Sequence, residues 1–522
     1  MKGQEELNKI FLEEALRLDQ IDQKALYKIR CKIAREFKVP FPTNIALLKT
    51  YQKLLKTKKV KPNLELEKIL KTRPIRNLSG IAVIAVLTKP YPCPGNCIFC
   101  PTQKDIPKSY LDNEPAVMRA VLNQFDPYKQ VKMRLKALKM GGHLTDKIEL
   151  IVIGGTFSAL KKDYQEWFIK RCFDAMNHKT AKDLKESQKL NEKAKNRCIG
   201  LTLETRPDWI DLAEIKNMRK LGATRVEVGV QHINDKILKL NQRGHLVQKT
   251  IQATRLLKDA GFKICYHLMP NLLGSTPEKD LQMFKEIFND PNFQPDKIKI
   301  YPCVVIENTQ LYKLWKAGKY KSYSPKQLEN LIAKVKAIVP PYVRILRLIR
   351  DIPGTEIVGG NKIPNLRQLM QERGIKCQCI RCREAREKNI NPKDLIYSKI
   401  EYQTLGGKEI FLQYTSKDKQ TLFAFLRLRL PDWKTGKFLD SLKGTALLRE
   451  LHTYGQLVPL DNKIKYTQHR GLGRKLVEKA EEISKKAGFK EIAVISGVGV
   501  REYYRDLGYS VMNKDQYLVK KL

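Results

Sequence analysis

Between Gly80 and Pro302 six short apolar runs alternate with amphipathic helical stretches, and this alternation constrains the fold more than any other feature of the chain. The runs are Ile81 to Leu87, Ile148 to Gly154, Cys198 to Glu204, Thr224 to Val230, Phe262 to Leu268 and Lys297 to Pro302. Near-continuous Val, Ile and Leu is the pattern of strands buried on both faces of a parallel sheet. The intervening stretches carry helix signals: in Asp126 to Gly142, Asp126 is placed as N-cap, Pro127 at the first position and Gly141 at the end. Six such units predict a partial parallel β/α barrel. The polar, Lys-rich stretch from Asn177 to Arg197 interrupts one unit and is expected to be an exposed excursion.

At about 150 residues per domain, 522 residues suggest roughly three domains. Residues 1–75 read as a basic helical arm, with Leu and Ile at helical spacing from Leu7 to Leu18 and from Ile45 to Leu55. Residues 76–345 hold the barrel. Residues 346–395 form an irregular linker, with Pro353, Gly354, Gly359, Gly360 and Pro364. Residues 396–522 begin with strand-like runs at 409–415, 421–430 and 445–455 and close with a helix, 471–488, and a strand, 491–497. No internal repeat is visible.

Lys and Arg number 99 against 55 Asp and Glu, a formal net charge of +44. A field of that size suits a polyanionic partner and makes nucleic acid the first to consider; the plain alternative is a Lys-rich bias of the source. Between Lys49 and Arg76 ten basic side chains face two acidic ones, which fits either a solvated helix face or an RNA-facing arm. The 42% apolar content excludes a disordered basic tail. No apolar run approaches the roughly eighteen residues of a spanning helix, so a soluble, cytoplasmic protein without a membrane partner is expected.

Of eleven cysteines, six sit in two tight groups, which in a reducing compartment points to metal ligation. The others, Cys31, Cys172, Cys198, Cys265 and Cys303, are expected as small core residues. Cys93, Cys97 and Cys100 form a C-x3-C-x2-C loop directly after the first strand. Three thiolates on a short loop suit three irons of a 4Fe-4S cubane and leave the fourth iron open to a substrate. A structural zinc would want a fourth Cys or His nearby, and none lies between Cys100 and His143. Phe99 is placed to shield the cluster. Cys377, Cys379 and Cys382 could hold a second iron–sulfur centre, a zinc or nothing; the short C-x-C-x2-C turn favours a small tetrahedral ion, with no fourth ligand visible locally. Farther on, Gln468 to Gly473 fits Q-x-x-G-x-G at a helix start, where successive backbone N–H groups suit a pyrophosphate.

The first cysteine spacing resembles the radical S-adenosylmethionine superfamily, whose open iron chelates the amino and carboxylate groups of S-adenosylmethionine. Gly154, Gly155 and Thr156, after the second strand, look like that superfamily's glycine motif, where backbone approaches the methionine end of the cofactor. Residues 396–522 are similar to GNAT-type α/β acetyltransferases. That similarity implies an acetyl-CoA site. Gln468, Gly471, Leu472, Gly473 and Arg474 would hold the pyrophosphate, and Glu450, Leu451, His452 and Thr453 the pantetheine. Tyr504, with Tyr503 adjacent, would be catalytic beside the thioester sulfur.

The pairing of the two halves resembles the family of Elongator catalytic subunits in their stand-alone form, across nearly the whole chain. Further motifs carry the likeness: Leu203 to Trp209, Asn241 to His245, Tyr266 to Ser275, Arg350 to Pro353 and Ser496 to Tyr509. Eukaryotic members have a longer gap between the first two cluster cysteines; here the spacing is that of the wider superfamily. The resemblance implies tRNA-modifying activity that forms 5-carboxymethyluridine at the wobble uridine, position 34, from acetyl-CoA. It also implies a Lys147 contact to acetyl-CoA, a structural zinc between the halves, the tRNA anticodon stem-loop as partner and a separate electron donor. Accessory subunits stay an open question. A rival expectation is a protein or histone lysine acetyltransferase whose iron–sulfur half is only structural, with Glu450 as general base. A third is an RNA-binding scaffold with both sites vestigial.

Overall fold

A computed structural model describes residues 3–72, 80–386, 394–454, 471–511 and 514–522. Gln468 lies outside the described residues, as do His469 and Arg470. The first half of the fold contains β1 (Ala82–Leu87), β2 (Lys147–Ile153), β3 (Arg197–Thr205), β4 (Arg225–Gln231), β5 (Lys263–Leu268), β6 (Lys297–Ile300), β7 (Val305–Ile306), β8 (Arg344–Arg347) and β9 (Ile357–Gly359). Strands β1 to β6 and then β8 pair in that order, all parallel, as an open half-barrel. β7 and β9 form a small antiparallel ribbon.

The six expected strands are present, and Arg344–Arg347 adds a seventh that the sequence does not announce. With only four residues, two of them Arg, it carries too little apolar pattern to stand out. The helix Pro127–Met140 starts and stops as its caps dictate: Asp126 Oδ1 accepts from Lys129 N at 2.9 Å, and Gly141 follows the last turn. The strands depart from the expectation of burial on both faces. Alternate side chains point to opposite sides of a sheet, and the inward set, including Val83, Glu149, Glu227, His267 and Lys299, lines a cavity.

The stretch Asn177 to Arg197 is not an exposed excursion. Its helix Leu184–Asn191 lies against the helix Lys162–Asn177, and Ser187, Asn191 and Asn196 are buried. Those polar groups are satisfied internally: Ser187 Oγ donates to Asp174 Oδ1 at 2.8 Å, and Asn196 Nδ2 to Thr145 O at 2.7 Å. Polar composition misled here because buried polar side chains with partners carry little penalty. Cys172, Cys198, Cys265 and Cys303 are buried core residues as expected, whereas Cys31 is only half-buried.

Within the first 75 residues, the helices Gln4–Leu16, Gln23–Phe37, Asn44–Lys56 and Leu64–Leu70 close around Phe11, Leu12, Leu26, Ile33, Leu47, Tyr51 and Leu66. Asp22, Thr43 and Asn63 cap the last three of them. Lys49, Lys53, Lys56, Lys58, Lys59 and Lys61 all face solvent.

The second half is a mixed sheet of β10 (Ile396–Thr404), β11 (Gly407–Thr415), β12 (Leu422–Pro431), β13 (Thr445–Thr453), β14 (Glu491–Val494), β15 (Ser510–Val511) and β16 (Leu518–Lys521). Its order is β10-β11-β12-β13-β14-β16-β15, with only β13 and β14 parallel, and the helix Leu472–Lys486 lies across it. The expectation that this region closes on the 491–497 strand is corrected: the helix Arg501–Arg505 and strands β15 and β16 follow.

The two halves meet over buried charge. Arg449 donates to Asp296 Oδ2 at 2.7 Å and Glu409 Oε2 at 2.8 Å, Arg427 to Glu450 Oε2 at 2.9 Å, and Arg429 to Asp259 and Glu409. All three guanidinium groups are fully buried. Charges this deep are costly unless paired, and each of the three has a buried carboxylate partner.

Candidate active site

The C-terminal end of the parallel sheet carries the first cysteine group. Cys93, Cys97 and Cys100 lie in the loop after β1, and Cys93 Sγ is 3.9 Å from Thr156 Oγ1. Gly154 and Gly155 turn the chain there with φ of +134° and +93°, and a Cβ on Gly154 would collide with Thr88 Oγ1, so the turn requires glycine. Arg243 Nη1 donates to Cys97 Sγ at 3.5 Å, and Arg206 pairs through Nε and Nη2 with Asp208, both at 2.9 Å. Arg206 Nη1 is buried beside Gly95 with no hydrogen-bond partner among the described residues. A hydrogen bond with Cys100 and the charges of Arg243 and Arg206 hold the Cys97 thiol below its ordinary range despite burial.

The two cysteine groups differ in spacing. The sulfurs of Cys377, Cys379 and Cys382 all lie within 4.8 Å of one another, whereas those of Cys93, Cys97 and Cys100 form no such group. A tetrahedral ion with bonds of about 2.3 Å needs sulfurs within about 4 Å. The tight group therefore suits a single ion. Cys379 precedes the short helix Ile380–Arg383, which ties the halves together: Ile380 N donates to Val343 O at 3.0 Å and Arg383 Nη1 to Gln413 Oε1 at 3.2 Å. No fourth His, Cys, Asp or Glu joins this group among the described residues. His452 instead stacks on Phe425 and packs against Tyr454.

From the cysteine loop a cavity of about 1170 Å³ runs through the half-barrel. It is larger than the roughly 300–1,000 Å³ of a site for one small ligand. Its wall carries a charged network that the motifs do not reveal. His267 Nε2 lies 2.9 Å from Glu227 Oε2, its Nδ1 3.4 Å from Glu204 Oε1, and Lys299 also pairs with Glu227. Tyr110 Oη donates to Glu204 Oε2 at 3.2 Å. Burial works against ionised Glu227, but Lys299, His267 and Arg225 outweigh it and hold its carboxyl well below the usual range. The signal was in the runs themselves: Glu149, Glu204, Arg225, Glu227, Lys263, Lys297 and Lys299 are charges inside otherwise largely apolar strands.

The far wall of the same cavity belongs to the second half and includes Glu450, Leu451, His452, Ile495 and Tyr504. β13 pairs with β14 only from Thr445 to Leu448, and a register shift sets Arg449 out of line with β12, so β13 and β14 part beyond Leu448. Gly471, at φ +73°, starts the helix that follows, with Leu472 buried beneath it and Arg474 on its exposed side. A Cβ on Gly473 would stand 2.9 Å from Tyr503 Oη, 3.7 Å from Leu451 Cδ2 and 3.8 Å from Thr453 Cγ2. The glycine loop, the splayed strand and Tyr503 thus converge, while Tyr504 alone of the two tyrosines lines the cavity. Burial pushes the Tyr504 phenol up. Lys147, first residue of β2, is half-buried, and burial lowers its ammonium. Glu450 is held by Lys297 Nζ at 2.8 Å and Arg427 Nε at 2.9 Å; burial opposes its ionisation, yet Lys297, Arg427 and Lys263 keep the carboxyl well below its ordinary range. A carboxylate so held is a poor base at neutral pH, which counts against the expected general-base role.

Comparison with known proteins matches residues 91–287 to the Radical SAM superfamily and residues 295–375 to the Radical_SAM C-terminal domain. The chain is 51% identical over 461 residues to the tRNA uridine(34) acetyltransferase of Methanocaldococcus jannaschii, covering 84% of this chain and 85% of the relative. It is 41% identical over 475 residues to human Elongator complex protein 3, covering 87% and 86%. The solved structure of Methanocaldococcus infernus Elp3 lacking its N-terminus superposes with a TM-score of 0.75 at 45% identity, over 85% of this chain and all of that one. Radical SAM membership implies a 4Fe-4S cluster and S-adenosylmethionine, for which the cysteine loop and the unpartnered Arg206 nitrogen are a fitting donor set. The chain therefore belongs to the family of tRNA uridine(34) acetyltransferases and Elongator complex protein 3, radical SAM enzymes with a second, α/β domain.

Proposed function

We propose that this enzyme forms 5-carboxymethyluridine at position 34 of tRNA from acetyl-CoA. The observation that carries this is the single cavity reaching from Cys93, Cys97, Cys100, Gly155 and Thr156 at one end to Glu450, Leu451, His452 and Tyr504 at the other. Neither an isolated acetyltransferase nor an isolated radical site needs such a connection. Uracil carbon 5 is too weak a nucleophile to attack an acetyl thioester, and the acetyl methyl is a poor acid. The cluster with S-adenosylmethionine would supply what polar side chains cannot, removal of a hydrogen atom from a C–H bond.

The chain's own residues place the reactants and exclude water. Cys93, Cys97 and Cys100 would ligate the cluster, and Gly154, Gly155 and Thr156 would bring backbone against the methionine end of S-adenosylmethionine. Gly471, Leu472, Gly473 and Arg474, with Gln468, would hold the acetyl-CoA pyrophosphate at a helix N-terminus. Glu450 to Thr453 would guide the pantetheine arm, with Lys147 at the mouth of β2 as a further contact. Tyr504, kept protonated by burial, can donate a hydrogen bond to the departing thiolate when the thioester is hydrolysed. Tyr503 touches the glycine loop and would shape it. Cys377, Cys379 and Cys382 would hold a structural zinc that ties the halves together.

The wobble base lies in a single-stranded loop that can be splayed into a cavity, while the stem offers phosphates to the exposed lysines of the N-terminal helices. An electron donor and the cytoplasm complete the setting. No helix among the described residues is long and apolar enough to cross a membrane. Nucleoside mass spectrometry of tRNA incubated anaerobically with the enzyme, acetyl-CoA, S-adenosylmethionine and dithionite tests the proposal: a carboxymethyl group on uridine 34 supports it. Acetyl-lysine formed without S-adenosylmethionine would favour the lysine acetyltransferase instead.

A further inference from the structure

Two buried arginines reach the cysteine loop past glycines. A Cβ on Gly229 would stand 2.7 Å from Arg243 Nη2, and one on Gly244 would stand 3.0 Å from Arg206 Nη2. Their charges are compensated differently. Arg206 is neutralised by the two-pronged pair with Asp208. Among the described residues Arg243 donates only to the Gly229 carbonyl and to Cys97 Sγ, its Nε is buried without a partner, and no carboxylate lies within 4.0 Å of it. A full positive charge buried without a counter-charge is costly unless something anionic completes the site.

We propose that Arg243, with Arg206 and its partner Asp208, sets the reduction potential of the cluster held by Cys93, Cys97 and Cys100. This rests on those three cysteines being cluster ligands. On reduction, the oxidised 4Fe-4S centre gains one electron from a one-electron donor, dithionite in the test, and no bond or proton is exchanged. The reduced cluster carries one more negative charge than the oxidised one. A fixed positive charge and an N–H donor at a ligand sulfur therefore favour the reduced form, as net charge and hydrogen bonds to sulfur do in iron–sulfur proteins generally. The sequence places Arg243 in the motif Asn241 to His245, yet spacing alone gives it no target; the fold supplies one.

The test is an EPR-monitored reduction of the full chain, anaerobically reconstituted, with iron and sulfide content measured alongside. Arg243→Met should load the cluster, but at the potential where half the wild type is reduced its reduced-to-oxidised ratio should fall about tenfold, equivalent to 59 mV for one electron. Arg243→Lys, which keeps the charge, should recover most of the difference. A loaded Arg243→Met with the wild-type ratio overturns the inference. Should Arg243→Met fail to load iron, Asp208→Asn decides: it uncovers the charge of Arg206 and should raise the ratio, and an unchanged ratio overturns the inference as well. A wild-type chain that takes up no iron removes the cluster itself, a result distinct from either.

Discussion

Lys297 Nζ, on the first residue of barrel strand β6, lies 2.8 Å from Glu450 Oε1 on the splayed strand β13 of the second sheet. That pair joins the halves at the point where their cavity is shared, and Arg427 grips the other oxygen of the same carboxylate at 2.9 Å. The position that family resemblance marks for acetyl-CoA is thus also a structural clamp. Glu450→Gln leaves Lys297 buried without its ion-pair partner and Arg427 with Asp296 alone, and should lower stability by about 3–5 kcal/mol. Urea unfolding followed by intrinsic fluorescence checks this; an unchanged midpoint would show that the clamp carries no load.

Lys258 gives a pH signature. Its amine is buried at the junction with no hydrogen-bond partner among the described residues, and burial pushes it down to about 7. In the unfolded chain it would titrate near 10.4. Between those values the unfolded state binds the extra proton, so this residue makes stability rise with pH, by up to about 1.4 kcal/mol per unit. Lys258→Met should remove that slope between about pH 7 and 10, measured by urea unfolding across the range. An identical slope in the variant would mean the amine stays charged when folded.

Cys97→Ala should abolish cleavage of S-adenosylmethionine while acetyl-CoA still binds. The product 5′-deoxyadenosine is followed by chromatography and acetyl-CoA by calorimetry. Persistent cleavage in the variant would remove Cys97 from the cluster ligands.

Gly473→Glu should abolish acetyl-CoA binding, because its side chain would enter the space between Leu451, Thr453 and Tyr503 and bring a negative charge to the pyrophosphate. Calorimetry with acetyl-CoA reads the loss, and unaltered affinity would place the coenzyme elsewhere. Cleavage of S-adenosylmethionine by this variant should persist.

Much of this was legible in the sequence because the strongest signals are local. The cysteine loop, the glycine turn at Gly154 and the capped helix at Pro127 each depend on a few adjacent residues, and the structure forms the helix and the turn where the pattern puts them. What stayed hidden depends on pairs far apart in the chain. Only the fold brings Asn196 to Thr145, Arg243 to Cys97, and His267 between Glu227 and Glu204. The short strand Arg344–Arg347 fails for a related reason: its register comes from β6 beside it, since its own composition is half arginine.

The central claim is that hydrogen is taken from the acetyl methyl at one end of the cavity by chemistry begun at the other. Acetyl-CoA with a fully deuterated methyl group tests it, in the presence of tRNA, S-adenosylmethionine and reductant. The account predicts 5′-deoxyadenosine carrying one deuterium and a carboxymethyl group on uridine carrying two. Unlabelled 5′-deoxyadenosine, or an acetylated product that keeps all three, would contradict it.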